Sequence, residues 1–210
     1  MTVELTESMF YQAVDELVAG NPDLAQIVTD HGPPPFYVRD PGFPTLVLMI
    51  LEQQVSLASA RAAFDKLLAV VGELTPASLL AQDDETLRGA GFSRQKTRYS
   101  RILAQAILDG ELDLALLHEL DDQGVHDALT ALTGIGPWTA QVYLLMCLRR
   151  PDIWPGGDLA LQAAIQTVKG LDKRPTAVET LPFAEAWRPW RAVAARLLWH
   201  DYLSKPGSAA

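Results

Sequence analysis

Leu132-Thr133-Gly134-Ile135-Gly136-Pro137-Trp138-Thr139-Ala140 constrains this chain more than any other stretch. Two glycines flank one apolar residue, and Pro137 suits the first position of a helix, where its missing N–H costs nothing. Val142, Leu145 and Met146, with Ala140 and Leu144 beside them, recur at helical spacing, so Trp138 to Arg150 reads as a helix. Val125 to Leu132 carries the same periodicity ahead of the glycines. The stretch is therefore helix, tight glycine hairpin, helix. Its glycines let backbone approach a ligand closely, and the N–H groups that open the second helix suit a phosphate. An ordinary helix–helix turn has the same pattern, and the stretch alone leaves both readings open.

The remaining chain reads as all-α. Glu7 to Ala19 is amphipathic, Asn21-Pro22 breaks it, and Asp23 to Thr29 follows. His31-Gly32-Pro33-Pro34-Pro35 is an extended connection. Phe43 to Val71 is helical up to an interruption at Gln53-Gln54-Val55-Ser56, and Gly72 ends it. Helices are expected over Pro76–Ala81, Asp84–Ala90 and Arg94–Leu108, then, beyond the hairpin unit at 122–149, over Leu159–Lys169, Ala177–Ala186 and Trp190–Leu203. Ser204 to Ala210 reads as a frayed tail. No strand-period segment, internal repeat or low-complexity tract stands out.

Twenty-two residues after Gly136, Pro155-Gly156-Gly157 leads into Asp158. Together with the hairpin, this pattern resembles the helix-hairpin-helix (HhH-GPD) DNA glycosylases, nearest to the 3-methyladenine DNA glycosylase II group. Ile50-Leu51-Glu52-Gln53-Gln54-Val55-Ser56 resembles that family's early helix and wedge loop, and Trp187-Arg188-Pro189-Trp190-Arg191 up to Trp199 its last helix. The resemblance runs from about Arg39 to Trp199. It implies two helical lobes with a DNA groove between them, one built from 1–55 plus 150–210, the other from 56–149 and containing the hairpin at 132–140. Some relatives carry an extra N-terminal β domain, for which this sequence has no room, so none is expected.

The resemblance also assigns roles. Breaking an N-glycosidic bond builds positive charge on the deoxyribose, and a fixed carboxylate stabilises that charge and guides the attacking water. Asp158 is the candidate, just ahead of the Leu159 helix, although Asp at that point is also an ordinary N-cap. Relatives that cleave the strand as well place a lysine two residues after the second glycine. Trp138 stands there, which implies a monofunctional hydrolase, and its π face would stack on a cationic alkylated purine, as would Trp199. Either tryptophan is equally an ordinary core residue. Some relatives carry a pocket aromatic one turn after Trp138, where this chain has Val142. Gln54 matches the position of a wedge that fills the gap left by the flipped base, with the adjacent Gln53 as its alternative and helix capping as the plain reading of both. Thr133, Gly134, Ile135, Gly136 and Thr139 would form the DNA-binding hairpin.

Composition bounds the partners. The 210 residues suffice for one well-buried domain or two small lobes. The apolar run Thr45 to Leu51 stops at Glu52, far short of a membrane span, and the N-terminus lacks a basic start and apolar core. A cytoplasmic, nucleoid-associated bacterial monomer without membrane contact is expected. Cys147 is the one cysteine, which excludes an internal disulfide and the four-cysteine iron–sulfur cluster of some relatives. His31, His118, His126 and His200 show no metal-ligand spacing, so neither metal nor cofactor is expected. The net charge of −9 opposes duplex binding at long range. A local basic patch at Arg88, Arg94, Lys96, Arg98 and Arg101, joined by Arg188, Arg191 and Arg196, offsets it in part. The expected activity is hydrolysis of alkylated purines (3-methyladenine, 7-methylguanine) from double-stranded DNA. A non-catalytic damaged-DNA binder on the same scaffold and a protein-docking module are the alternatives.

Overall fold

The structure, a computed structural model, describes residues 3–205, so most of the tail expected to fray lies outside the described residues. The chain divides into two compact units, one of Met1–Val38 with Leu144–Ala210 and one of Arg39–Tyr143. Among the described residues there are helices and no strands.

The first unit holds α1 (Glu7–Gly20), α2 (Pro22–His31), α10 (Leu159–Val168), α11 (Leu181–Glu185) and α12 (Arg191–Ser204). The second holds α3 (Phe43–Glu52), α4 (Leu57–Val71), α5 (Pro76–Leu80), α6 (Asp84–Gly89), α7 (Arg94–Leu108) and α8 (Asp122–Thr130). The cut at 143/144 falls within α9 (Pro137–Met146).

In the first unit α12 is the central element. Ala192, Val193, Ala194, Ala195, Leu197 and Leu198 are all buried, so this part of the helix is covered around its circumference, and it packs on α1, α2, α10 and α11. Trp187 and Trp154 add a ring pair 5.4 Å apart. In the second unit α3 plays that part. Phe43, Leu46, Val47, Met49, Ile50 and Leu51 are buried, and α3 packs on α4 and α7.

This packing moves the expected lobe boundaries. Residues 39–55 belong with the hairpin unit, because α3 is its core and the Gly42 N–H donates to the Tyr143 hydroxyl at 3.1 Å. Residues 144–149 belong with the first unit, where the Leu5 N–H donates to the Arg149 carbonyl at 2.8 Å. The cuts fall at 38/39 and 143/144 in place of 55/56 and 149/150.

Three helix ends also differ from expectation. α8 starts at Asp122, three residues early, because the Asp121 carboxylate caps the Gly124 N–H at 2.7 Å. α9 stops at Met146: Arg149 turns left-handed at φ 52°, and the Arg150 N–H closes back on the Leu144 carbonyl at 3.0 Å. α11 starts at Leu181 and not Ala177, since Pro182 has no N–H to bond to the Val178 carbonyl and its ring crowds it.

Candidate functional site

The candidate residues fall into two groups, one in each unit. In the first unit, the turn before α10 positions Asp158. The Asp158 N–H donates to the Pro155 carbonyl at 2.9 Å, and the buried Gln162 side chain, one turn into α10, donates to the Gly156 carbonyl at 2.9 Å. A Cβ at Gly156 would sit 2.9 Å from Trp154 Nε1 and 3.0 Å from Thr180 Oγ1, which themselves hydrogen-bond at 3.1 Å. Only glycine fits that seam, so the loop carrying Asp158 is clamped from three sides.

Asp158 is the N-cap of α10, accepting from the Leu161 N–H at 2.9 Å. The same oxygen, Oδ1, accepts from Trp199 Nε1 at 3.1 Å. Asp158 and Trp199 are thus one hydrogen-bonded pair, both half-buried. Beside them Leu159 is 61% exposed, an apolar side chain presented to solvent at the start of a helix. The capping role and the indole contact share one carboxylate oxygen here.

In the second unit, α3 ends in a turn that carries the paired glutamines. Gln54 takes the left-handed conformation, φ 59°, which costs a non-glycine residue about 1–2 kcal/mol. Its side chain is exposed, and Val55 and Leu57 beyond it are 44% and 59% exposed. Gln53 points elsewhere: its amide donates to the Gly134 carbonyl at 2.9 Å and reaches Thr139 Oγ1 at 3.5 Å. The amide of Gln53 therefore ties the turn to the hairpin, while Gln54 projects from the tip. Lys96 of α7 donates to the Leu51 carbonyl at 2.6 Å, adding a cation to the carbonyl end of α3; burial lowers its pKa from the ordinary lysine value. Glu52 is held by a two-point ion pair with Arg39, 2.8 Å on each side.

The two hairpin glycines differ in kind. Gly134 has φ 105°, and a Cβ there would stand 2.3 Å from Cγ of Tyr99, so the ring occupies the space a side chain would need. Gly136 has nothing within 4 Å of its Cβ position. Among the described residues no acceptor takes the N–H of either glycine. Ile135 and Thr139 are buried, so their side chains pack the hairpin from beneath; Thr133 and Gly136 are exposed. Trp138 is half-buried on the first turn of α9, and Val142 is buried at 5% exposure, a core residue with little surface for a ligand.

The basic patch is smaller than expected. Arg188 and Arg191 both pair with Asp152, at 2.6 and 2.8 Å. Arg196 lies 5% exposed beside the paired rings of Phe10 and Phe36 and donates to the Tyr37 and Leu145 carbonyls; burial pulls its pKa down to about 10. The C-terminal arginines are structural. Arg88, Arg94 and Arg98 remain exposed. Sequence reasoning missed Gln162, Tyr99 and the role of Asp152. Gln162 had one signal, its place one helical turn after Asp158. Cys147 is buried, and no His, Cys, Asp and Glu cluster suited to a metal occurs among the described residues. None of their helices is long and apolar enough to cross a membrane.

With this geometry in view, the chain falls into a class of helical proteins built around a glycine hairpin and a capped aspartate. It belongs to the HhH-GPD superfamily of base excision DNA repair proteins, which residues 47–190 match. Its fold is similar to that of the 3-methyladenine DNA glycosylase of Schizosaccharomyces pombe in complex with abasic DNA, with TM-score 0.81 and 26% identity over 90% of this chain and 95% of that one. It is similar to the DNA-3-methyladenine glycosidase of Bacillus halodurans, with TM-score 0.74 and 31% identity over 89% and 87%. A putative DNA-3-methyladenine glycosylase of Bacillus subtilis is 28% identical over 186 residues, 85% of this chain and 65% of that relative's length.

Proposed function

We propose that this protein is a monofunctional DNA glycosylase that removes alkylated purines from duplex DNA and leaves an abasic site. The observation that carries the reading is the Asp158–Trp199 pair, a helix-capped carboxylate with an indole donor on one oxygen. The named activities of the relatives support the substrate class.

In this reaction the C1′–N bond breaks and its electron pair leaves with the base. Positive charge grows on the sugar, and Asp158 stabilises it by electrostatic attraction in a fixed orientation that needs no reorganisation during the step. Water attacks C1′, the new C1′–OH bond forms, and the water's proton passes to Asp158 or onward to solvent. A base alkylated at N3 or N7 is already cationic and departs as a neutral molecule, so no strong general acid is required. The hairpin N–H groups at Gly134 and Gly136 bind a phosphate, Gln54 fills the gap left by the flipped base, and Trp199, bonded to Asp158, offers aromatic surface to that base. Trp138 has no amine, which fits hydrolysis without a Schiff base.

The test is incubation with a panel of lesion-bearing duplexes, divided between neutral and hot alkaline work-up. Release of methylated purines, with strands that stay intact at neutral pH and break in alkali, is the expected result. A covalent protein–DNA complex trapped by borohydride would show lyase chemistry and overturn the monofunctional reading. Binding without release of any base would make the protein a damage binder.

A further inference from the structure

One face of α7 takes no part in the chemistry above. Arg94, Arg98 and Arg101 recur at helical spacing and line a groove of 390 Å³ within the Arg39–Tyr143 unit, shared with Leu80, Asp84 and Ile102. Arg101 is committed to the protein itself, donating to the Gln82 carbonyl at 2.7 Å and to Asp84 at 2.8 Å. Arg94 and Arg98 are exposed, and among the described residues neither has a carboxylate partner. Residues 88–101 contain no acid. Three arginines against one aspartate leave the groove with two net positive charges in a chain of net charge −9.

The same helix supports the hairpin. Tyr99, the residue after Arg98, is the ring that fills the Cβ space of Gly134, and Gln95 one turn earlier donates to its hydroxyl at 2.7 Å. At 1.5 Å rise and 100° per residue, Arg98 and Arg94 stand about 1.5 Å and 7.5 Å from Tyr99 along the α7 axis and about 100° and 140° round the helix from it, so the groove and the hairpin lie on different faces of α7. Arg94 and Arg98 are themselves about 6 Å apart along that axis and about 40° apart round it, so each can reach a separate phosphate. We infer that Arg94 and Arg98 form a second anion site for DNA, gripping backbone phosphates apart from the one held by the Gly134–Gly136 hairpin. The inference rests on the DNA-binding reading above and extends it to a second set of residues. Guanidinium forks suit phosphate oxygens and read no sequence, so the site adds affinity for damaged and undamaged duplex alike.

Binding of the full chain to an abasic-analogue duplex and to its undamaged counterpart, measured by fluorescence anisotropy over a salt series, tests this. Arg94→Ala/Arg98→Ala should weaken both complexes. It should also reduce the slope of log affinity against log salt by about 2, at roughly 0.9 for each phosphate that is no longer neutralised. Arg94→Lys/Arg98→Lys should restore most of that slope, and the circular dichroism of all three proteins should match. Wild-type binding with an unchanged slope in the alanine variant would overturn the arginine site and leave the hairpin reading standing. A wild type that binds no DNA at low salt would overturn both. Loss of binding with altered circular dichroism and no lysine rescue would mark these arginines as structural and overturn the inference.

Discussion

Asp158 and Gln54 show what single residues contribute. Both are legible from a motif alone, because each stands at a fixed offset from a turn. The geometry then adds what spacing could not: the indole donor on Asp158 and the left-handed backbone at Gln54. Glycine adopts that backbone without a Cβ penalty but loses more entropy on folding, so Gln54→Gly should change stability by less than about 1 kcal/mol. It should slow excision all the same, since the side chain proposed to fill the flipped-base gap is gone; urea denaturation beside single-turnover excision separates the two effects. Trp199→Phe keeps a ring but removes the Nε1–H donor. A hydrogen bond of this kind is worth about 1–1.5 kcal/mol net, so excision should fall roughly 10-fold while affinity for an abasic duplex holds. The pairing of Arg188, Arg191 and Arg196 is not legible, because charge in a sequence says nothing of its partner. Asp152 and the two phenylalanine rings are distant in sequence and close in space.

Helices and turns follow the pattern closely wherever a cap or a break is written into adjacent residues. Ser56, Asp83, Ser93 and Asp158 each cap the helix that follows, as their residue types suggest. Ends that depend on a reversal, such as Arg149, or on a proline one residue inside, such as Pro182, are displaced. The hairpin is the element where two identical residues carry opposite duties. Gly134→Ala should destabilise the protein by about 2–4 kcal/mol, through the clash with Tyr99 and the strained φ, and Tyr99→Ala should relieve part of that loss in a double-mutant cycle. Gly136→Arg should fold as the wild type does, because its Cβ meets open space, and yet lose affinity for damaged and undamaged duplex alike. Unchanged affinity for both, measured at low salt, would remove the hairpin from the interface. No sequence pattern separates these two glycines; the Tyr99 ring does.

Across the whole molecule, two units share one chain, and the division runs through α9. The lobe boundaries differ from those the resemblance implies because the six buried apolar residues of α3 make it the core of the hairpin unit. The net charge of −9 is a global property, and DNA affinity should therefore be weak and steeply salt-dependent. The proposed activity turns on Asp158 acting as a catalytic carboxylate as well as a helix cap. Asparagine caps a helix equally well, so Asp158→Asn should fold with little loss of stability and bind an abasic duplex as tightly as the wild type. The direct measurement is single-turnover release of 3-methyladenine and 7-methylguanine from methylated DNA by the two proteins side by side. The variant should release base at a rate lower by about 100-fold or more, roughly 3 kcal/mol of lost transition-state stabilisation. Release by Asp158→Asn at the wild-type rate would contradict the catalytic role and leave Asp158 a helix cap alone.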